Sequence, residues 1–493
     1  MALYERIFKN SSVYVTANMI QKFLGFLLIP LYTRVLTPDE YGKMTVITAV
    51  SVFVQMFLIS SLSGAITRFY FEYRNDSKRL KEFLGTVFLS LFIFSMLLVF
   101  FLWISGDILL KPVLGDVPFY PLMLIGLVGV LFFPVFHAFL SYLQTVEKAG
   151  VYGIISVTSF VLKAILTVIL LFGTEWGAAG PLTAGAFVYF IYCGISFIML
   201  REKITFTVKK KYLIEAFKYT APLLFHHLLN HFKSITDKVF INKMIGSSFT
   251  GIYNIGFHFG SVVSIISIAV NRAIIPSFMH GMKTGDEKLL DEIRELSLSV
   301  VFAYCFIASI LSVFSREVIM LFTTSSYYEG FIVVPFISFN FVARGIYFLT
   351  VNTLFYFRQH TKLVIIGTFS GAVINIILNY FFIKEWGFNG AAIATMASQI
   401  VTLVITAFIA DKFTRVKWNY GKFATVFILN FVAVTAIITF FPVRISVLTF
   451  LLKFVLLAVL FFVSSKIMWN SSTYLVFHGH KIIEKIWRNR KDD

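Results

Sequence analysis

The segment Tyr219–Gly260 begins YTAPLLFHHLLNHFKSITDKVFINKMIG, and its first part has the length and apolar content of a membrane span. The same part contains His227, His231, Lys233 and Asp237. An ionisable side chain at the centre of a bilayer costs from about 2.5 kcal/mol to more than 10 kcal/mol. These side chains therefore cannot face lipid, and the sequence predicts that they line a polar interior enclosed by other spans.

Apolar residues dominate the remainder of the chain as well. Of 493 residues, 58% are hydrophobic and 14% are charged, and the mean hydropathy is +0.83. The apolar residues form blocks of about 20, the length of a membrane-spanning helix, separated by short charged loops. This pattern predicts an all-α polytopic membrane protein. Cys193 and Cys305 lie in separate apolar blocks and indicate neither a disulfide framework nor a metal site.

The apolar blocks predict about fourteen transmembrane helices. We place them at about 13–32, 44–66, 83–104, 118–143, 151–172, 179–200, 220–242, 250–275, 297–322, 331–355, 363–383, 389–410, 423–441 and 445–467. Lys and Arg are concentrated in the connections on the side of both termini, which predicts cytoplasmic termini. The formal net charge of +18 is thus a signal of topology, and no nucleic-acid partner is expected.

An internal repeat is visible in the loops. EWGAAG at 175–180 is followed 210 residues later by EWGFNG at 385–390, and Tyr41-Gly42 matches Gly251-Ile252-Tyr253 at nearly the same offset. Six spans per copy is an even number, so we expect two parallel repeats with a site between them near the membrane midplane. The predicted divisions are an N-terminal lobe at 1–210, a C-terminal lobe at 211–420, two extra spans at 421–470 and a cytoplasmic basic tail at 471–493.

Positive charges within the spans outnumber negative ones, since Asp237 is the one acidic residue placed well inside a span. A buried charge needs a partner or water, so we expect the missing negative charge to belong to the substrate. The predicted headgroup site comprises Lys22, Lys163, Lys233, Arg272 and Arg344. The predicted polar lining comprises Asn18, Gln21, His227, His231, Asp237, His258, Asn340, Asn375 and Asn379.

Some of these cations have plainer interpretations. Lys453 is expected to extend toward the membrane interface, and Lys238 could do the same. Arg272 could belong to the cytoplasmic end of its span, where it would set topology. His227 and His231 have the i, i+4 spacing of metal ligands, but no further ligand pattern completes a site. We therefore predict no metal, cofactor or catalytic residue.

Several motifs together resemble one family. The sequence TRVLTPDEYG at 33–42 is similar to the first-loop motif of polysaccharide flippases in the multidrug/oligosaccharidyl-lipid/polysaccharide exporter superfamily. Lys238 is a mild departure, because Arg is commoner at that position. The resemblance covers about residues 1–420. Its other supporting matches are Pro222 with Asp237-Lys238, then Gly251-Ile252-Tyr253, Asn375, Asn379 and the segment 387–392.

The resemblance implies two six-helix lobes in a V shape that open alternately to each side of the membrane. It implies translocation of an undecaprenyl-pyrophosphate-linked oligosaccharide during synthesis of O-antigen in lipopolysaccharide, capsule or exopolysaccharide. In lipid-flipping relatives with fourteen spans, the last two form a groove for the prenyl tail, which we extend to 421–470 as an expectation.

The function expected from these observations is a non-enzymatic flippase of the bacterial inner membrane, acting as a monomer. Its expected partners are a polyprenyl-pyrophosphate-linked glycan, membrane lipids, and either a coupling ion (H⁺ or Na⁺) or the membrane potential. A cation-coupled drug antiporter of the same superfamily is the first alternative, although it would favour intramembrane carboxylates. A membrane glycan polymerase or ligase is the second, although such enzymes typically carry a large outward loop.

Overall fold

The protein is described by a computed structural model. It covers residues 2–441 and 447–469, without the side chains of 2–12, 15, 60, 61, 63, 222, 223, 225–234 and 358. The first half of the chain contains α1 Ala2–Leu27, α2 Ile29–Val35, α3 Pro38–Tyr73, α4 Ser77–Leu109, α5 Lys111–Leu114, α6 Leu124–Thr145, α7 Ala149–Gly173, α8 Ala179–Leu200 and α9 Lys210–Ile245. The second half contains α10 Ser247–Gly260, α11 Val262–Thr284, α12 Glu287–Val313, α13 Ser315–Phe322, α14 Val333–Tyr356, α15 Val364–Ala410, α16 Tyr420–Phe440 and α17 Val447–Trp469.

The prediction of an all-helical membrane protein is confirmed. Among the described residues, 11 helices are long and apolar enough to cross a membrane. One of them, Gln359–Ala410, contains the predicted spans 11 and 12 in a single helical run, which bends at Trp386 and Gly387. The helices at the positions of predicted spans 1 and 7, α1 and α9, are not among the 11, so a count of fourteen stays a prediction.

Contacts between Cα atoms divide the chain into two compact units, Met1–Asn254 and Ile255–Asp493. In the first unit α3, α4, α6 and α8 surround an apolar core that includes Leu62, Phe83 and Phe139. In the second unit α14 packs against α11, α12, α15 and α16 and is buried along most of its length. The sequence repeat predicts a boundary between the lobes at residue 210. The compact units of the structure instead divide after Asn254, because α9 packs on α3.

The two copies of the EWG motif share a glycine with a positive φ angle. Gly177 has φ +51° and Gly387 has φ +57°, a region that side chains other than glycine rarely occupy. Trp176 and Trp386, which precede these glycines, are each 53% exposed. A shared glycine conformation at an offset of 210 residues is consistent with a repeated structural unit.

The first-loop motif at 33–42 contains the N-terminus of α3, and its residues form hydrogen bonds with α10. Thr37 and Glu40 form a capping box at the start of α3, which supplies partners to its first N–H groups. The hydroxyl of Ser247 donates to Asp39, and the Asn254 amide donates to Tyr41 Oη at 3.2 Å. These contacts are polar and lie within the first unit.

Two glycines allow α3 and α10 to approach this closely. A Cβ on Gly42 would lie 1.8 Å from the carbonyl oxygen of Ser247, and one on Gly251 would lie 2.2 Å from that of Pro38. Contacts under 3.0 Å with backbone cannot be relieved by a side-chain movement. The two glycines of the repeated Tyr-Gly and Gly-Ile-Tyr segments are therefore required by packing.

We predict that Gly42→Ala lowers the thermal unfolding midpoint of the purified protein in detergent. Overpacking of a close contact costs about 1–3 kcal/mol, and here the obstructing atom is backbone. Gly194→Ala is the matched control, since its added Cβ meets nothing within 4 Å and helix propensity favours Ala by about 0.5–1 kcal/mol. Equal midpoints for the two variants would contradict the packing role of Gly42.

The expectation that Lys453 extends toward the membrane interface is wrong. It is 6% exposed, donates to the carbonyl oxygen of Val313 at 3.0 Å and forms a salt bridge with Glu317. Glu317 lies in the first turn of α13, so this ion pair connects α17 to the junction of α12 and α13. The charge of Lys453 is thus neutralised inside the protein.

We predict that Lys453→Met destabilises the protein by about 1–3 kcal/mol, because it leaves the half-buried carboxylate of Glu317 without its cation. The double variant Lys453→Met/Glu317→Gln should recover a large part of this loss. The measurement is the unfolding midpoint of both variants in detergent. A double variant no more stable than Lys453→Met would disprove the pairing.

Candidate functional site

A polar cavity of about 320 Å³ lies inside the first unit, among α1, α6, α7 and α8. Its polar lining consists of Asn18, Gln21, His137, Ser141, Gln144, Ser156, Ser159 and Lys163. Its other lining residues are Phe133, Phe136, Leu140, Tyr152, Phe160 and Tyr189. The cavity thus combines amides and hydroxyls with aromatic rings around a single cation.

Helical periodicity explains why these residues meet. Asn18 and Gln21 lie three residues apart on α1, and Ser156, Ser159 and Lys163 follow at spacings of three and four on α7. Residues at such spacings share one face of a helix. A polar face in a membrane helix is buried against other polar faces, and here those faces enclose the cavity.

Lys163 supplies the positive charge of the cavity. Its Nζ lies 5.6 Å from the centroid of the Tyr189 ring, within the range of a cation–π contact. Gly185 on α8 faces it, since a Cβ there would lie 3.5 Å from Nζ, an ordinary van der Waals contact. Lys163 takes part in none of the salt bridges of the described residues, and no carboxylate lines the cavity.

Several polar side chains around Lys163 donate hydrogen bonds to backbone carbonyl oxygens. Gln21 Nε2 donates to the carbonyl oxygen of Ser156 at 2.7 Å, and the Ser159 hydroxyl donates to the same oxygen at 2.9 Å. The Ser141 hydroxyl donates to the carbonyl of His137 at 3.2 Å. Each of these hydroxyl oxygens, and the amide oxygen of Gln21, keeps acceptor capacity toward the cavity.

Two buried polar atoms beside the cavity have no hydrogen-bond partner among the described residues. They are Nδ1 of His137 and the hydroxyl oxygen of Tyr14, on α6 and α1. A buried polar atom without a partner costs about 1–3 kcal/mol, and both atoms are enclosed by protein. The polarity of the cavity therefore comes from the amides, hydroxyls and ammonium that line it.

The remaining predicted residues of the first unit lie in other surroundings. Lys22 is exposed on α1, one position after Gln21. Asp237 is 2% exposed and accepts a hydrogen bond from the Tyr253 hydroxyl at 2.9 Å, so its carboxylate is held by the protein. The side chains of His227, His231 and Lys233 lie outside the described residues.

In the second unit the two predicted arginines are exposed. The Arg344 guanidinium lies 5.6 Å from the ring centroid of Phe348, on the one strongly exposed face of α14. Neither Arg272 nor Arg344 takes part in the salt bridges that the described residues form. His258 is also exposed.

The predicted asparagines of the second unit are buried in helix packing. Asn375 and Asn379 are 0% exposed, and the Asn375 amide lies 3.5 Å from Thr395 Oγ1 and 3.4 Å from Ser398 Oγ, across the bend of α15. Asn340 is 6% exposed. Their placement is typical of polar groups that join helices.

Of the residues predicted to form the headgroup site and its polar lining, Asn18, Gln21 and Lys163 lie together in the cavity. The structure adds His137, Ser141, Gln144, Ser156 and Ser159, whose spacing of three to four residues along α6 and α7 was a usable signal. Tyr189 carried no such signal, because aromatic residues are common throughout the apolar spans. In the part of the chain that the structure describes, no group of three His, Cys, Asp or Glu side chains could hold a metal.

Comparison with known proteins extends these observations. Residues 7–282 match the family described as "Polysaccharide biosynthesis protein". The chain is 22% identical to the capsular polysaccharide biosynthesis protein CapF of Staphylococcus aureus, over 80% of this chain and 97% of CapF. It is 23% identical to a probable low-salt glycan biosynthesis flippase, Agl15 of Haloferax volcanii, over 49% of this chain and 52% of Agl15.

The fold is also known from a solved structure. The lipid II flippase MurJ in its inward closed conformation superposes with a TM-score of 0.74 at 15% identity, covering 94% of this chain and 99% of MurJ. At that identity the likeness shows a shared fold. The predicted all-helical membrane fold is confirmed to this extent.

We predict that the cavity is wet and electropositive. The anionic-to-cationic ratio of methanethiosulfonate reaction rates at Gln144→Cys should exceed that of a free thiol by roughly thirtyfold, since one reagent is attracted and the other repelled by ~1 kcal/mol for unit charges at 4 Å in water. The native Cys193 and Cys305 are buried and give little background. In the Lys163→Gln background the preference should disappear.

The control for this measurement is Phe187→Cys, on the apolar outer face of α8. It should react slowly with both reagents, because a thiol in lipid does not ionise. A ratio at Gln144→Cys no higher than that of a free thiol would show that the cavity is not electropositive.

Proposed function

The chain belongs to the polysaccharide biosynthesis protein family, and from that premise we propose that it is a flippase for a lipid-linked glycan. The proposed cargo is an oligosaccharide joined to undecaprenyl pyrophosphate. It moves from the cytoplasmic to the outer leaflet of the bacterial inner membrane, for synthesis of O-antigen, capsule or exopolysaccharide. The similarity to CapF and Agl15 supports a role in glycan synthesis, and the fold shared with MurJ supports transport.

The observation that carries this proposal is the cation of Lys163 in a cavity without carboxylates. Lys163 is half-buried and interacts with Tyr189, but no carboxylate neutralises its charge. A pyrophosphate would supply a counter-charge, and its attraction to the ammonium would contribute to the binding free energy. A cationic drug would meet repulsion in the same place, so the antiporter alternative is disfavoured.

The remaining cations are proposed to extend the anion site. Lys22, Lys233, Arg272 and Arg344 would contact the headgroup during passage, with the arginines able to bind phosphate through two hydrogen bonds. The lipid tail stays in the bilayer, and the spans at 421–470 are proposed to guide it. Lobes that open alternately to the two sides would move the headgroup without a continuous pore.

No catalytic step is part of the proposal, since the cargo is released with its bonds unchanged. Export of a pyrophosphate from a negative-inside cell moves charge down the membrane potential, which contributes about 2.3 kcal/mol per charge per 100 mV. Movement of the cations together with the cargo would largely cancel this contribution. H⁺ or Na⁺ coupling is the other proposed energy source, and the transporter is proposed to act as a monomer with cytoplasmic termini.

We predict that Lys22→Ala, Lys163→Ala and Arg344→Ala each reduce export of lipid-linked glycan by about tenfold or more, since each removes a charged hydrogen bond of about 1.5–3 kcal/mol. The measurement is surface glycan at native expression, with protein abundance followed by immunoblot. Lys384→Ala is the control, because Lys384 is exposed and outside the site. Normal surface glycan in all three variants would remove these cations from the transport path.

A further inference from the structure

The connection between α8 and α9, residues 201–209, follows directly from a membrane span. α8 has the length and apolar content of a span and ends at Leu200, and α9 begins at Lys210. The connection reads REKITFTVK, with three apolar residues at alternate positions and lysine or arginine toward both ends. It belongs to the side of the membrane on which both termini are predicted to lie. Its residues are therefore placed where lipid headgroups meet water.

The backbone of this connection is fixed against the start of α4. The Thr205 N–H donates to the carbonyl oxygen of Lys81 at 3.0 Å, and the Lys209 N–H donates to Thr86 Oγ1 at 3.1 Å. A Cβ on Gly85 would overlap the carbonyl oxygen of Thr205, so only glycine permits this approach. The side chains of the connection consequently point in directions that the fold has set.

Two apolar side chains of the connection point away from the protein. Ile204 is 5% exposed and belongs to the core of the first unit, whereas Phe206 is 63% exposed and Val208 is 47% exposed. The corresponding connection of the second unit, between α15 and α16, buries its apolar residues, with Val416 at 2% and Trp418 at 7%. Exposure of Phe206 and Val208 is thus a property of the first unit. Exposed apolar residues with a polar rim are typical of surfaces that bind a protein or a membrane.

Positive charge surrounds these two apolar side chains. Residues 74–82 and 201–211, which we call the basic surface, contain nine lysines and arginines and three carboxylates. Glu82 is paired with Lys209 at 2.7 Å, and the other two carboxylates also lie within 4 Å of an arginine. Five exposed lysines take part in none of the salt bridges found in the described part of the chain. They are Lys78, Lys81, Lys203, Lys210 and Lys211.

The combination of cations and apolar side chains selects the kind of partner. A soluble anion would use the lysines and leave Phe206 and Val208 in water. An anionic phospholipid uses both, because its phosphate meets the lysines and its acyl chains accept apolar side chains. The adjoining span α8 also holds the basic surface against the bilayer, so lipid is always within reach.

We propose that the basic surface binds anionic phospholipid headgroups of the cytoplasmic leaflet, with Phe206 and Val208 inserted at the upper ends of the acyl chains. The five uncommitted lysines contact the lipid phosphates. Because α4 fixes the connection, the bound lipids hold the cytoplasmic end of the first unit at a defined depth in the membrane. The proposal goes beyond the flippase function, since these lipids are not the cargo.

The first test compares two lipids that differ only in headgroup. The full-length protein in detergent is titrated with dioleoylphosphatidylglycerol and with dioleoylphosphatidylcholine, and bound lipid is measured by native mass spectrometry. The anionic lipid should bind about tenfold or more tightly, since each lysine at an anionic surface contributes about fivefold. Equal affinity for the two lipids would overturn the proposal. Binding of soluble glycerol 3-phosphate as tight as that of phosphatidylglycerol would assign the lysines to a soluble anion and overturn it as well.

A pair of triple variants with the same change in charge locates the binding. Lys203→Gln/Lys210→Gln/Lys211→Gln should remove about tenfold or more of the preference for phosphatidylglycerol. The control removes three exposed lysines outside the basic surface, Lys111→Gln/Lys243→Gln/Lys384→Gln, and should keep the preference. All six side chains are exposed, and unchanged unfolding midpoints would verify that both variants fold. An equal loss in the two triple variants would reduce the effect to net charge and overturn the site.

The second test measures the depth of Phe206. Phe206→Cys carries a nitroxide spin label in phosphatidylglycerol vesicles, and Glu202→Cys, on an exposed charged residue of the same connection, is the matched control. The label at 206 should be relaxed more by oxygen, which concentrates among acyl chains, and the label at 202 more by the neutral nickel complex of ethylenediaminediacetate, which stays in water. Cys193 and Cys305 are buried and contribute little label. Equal accessibility of the two labels to the nickel complex would place Phe206 in water, free for a protein partner, and overturn the insertion. Neither test uses the cargo, so failure here leaves the proposed flippase function intact.

Discussion

The inability of a bilayer to solvate polar side chains governs the organisation of this protein. A polar residue on a spanning helix must find a partner, water or substrate inside the protein. In the first unit this constraint turns the polar faces of α1, α6 and α7 toward each other and produces the cavity around Lys163. In the second unit it places Asn375 between polar side chains of the same bent helix.

Two intramembrane lysines show how the same chemistry serves different purposes. Lys453 meets Glu317 and a backbone carbonyl, so its charge is satisfied within the fold and it fastens α17. Lys163 meets an aromatic ring, which stabilises a cation without neutralising it. A neutralised cation has little left to offer a substrate, whereas a cation held over a ring can still bind an anion. The difference lies in the partner and not in the lysine.

Close packing of α3 against α10 at two glycines is a second constraint on the first unit. Gly42 and Gly251 bring α3 and α10 into backbone contact, and the polar bonds of Asp39 and Asn254 lie at the same contact. Small residues permit such approach in membranes, where apolar burial alone does not drive helices together. The first-loop motif is therefore explained by packing and capping and needs no direct contact with cargo.

Composition and periodicity in the sequence were sufficient to determine the helical membrane class, the polar faces of the spans, the paired EWG turns and three residues of the cavity. These are local properties, set by residue spacing along one helix or one loop. Only the tertiary structure decided that Lys453 meets Glu317, 136 residues away, and that Tyr189 lies beside Lys163. Such pairings depend on which helices pack together and at what height, and no periodicity within a single helix contains that information.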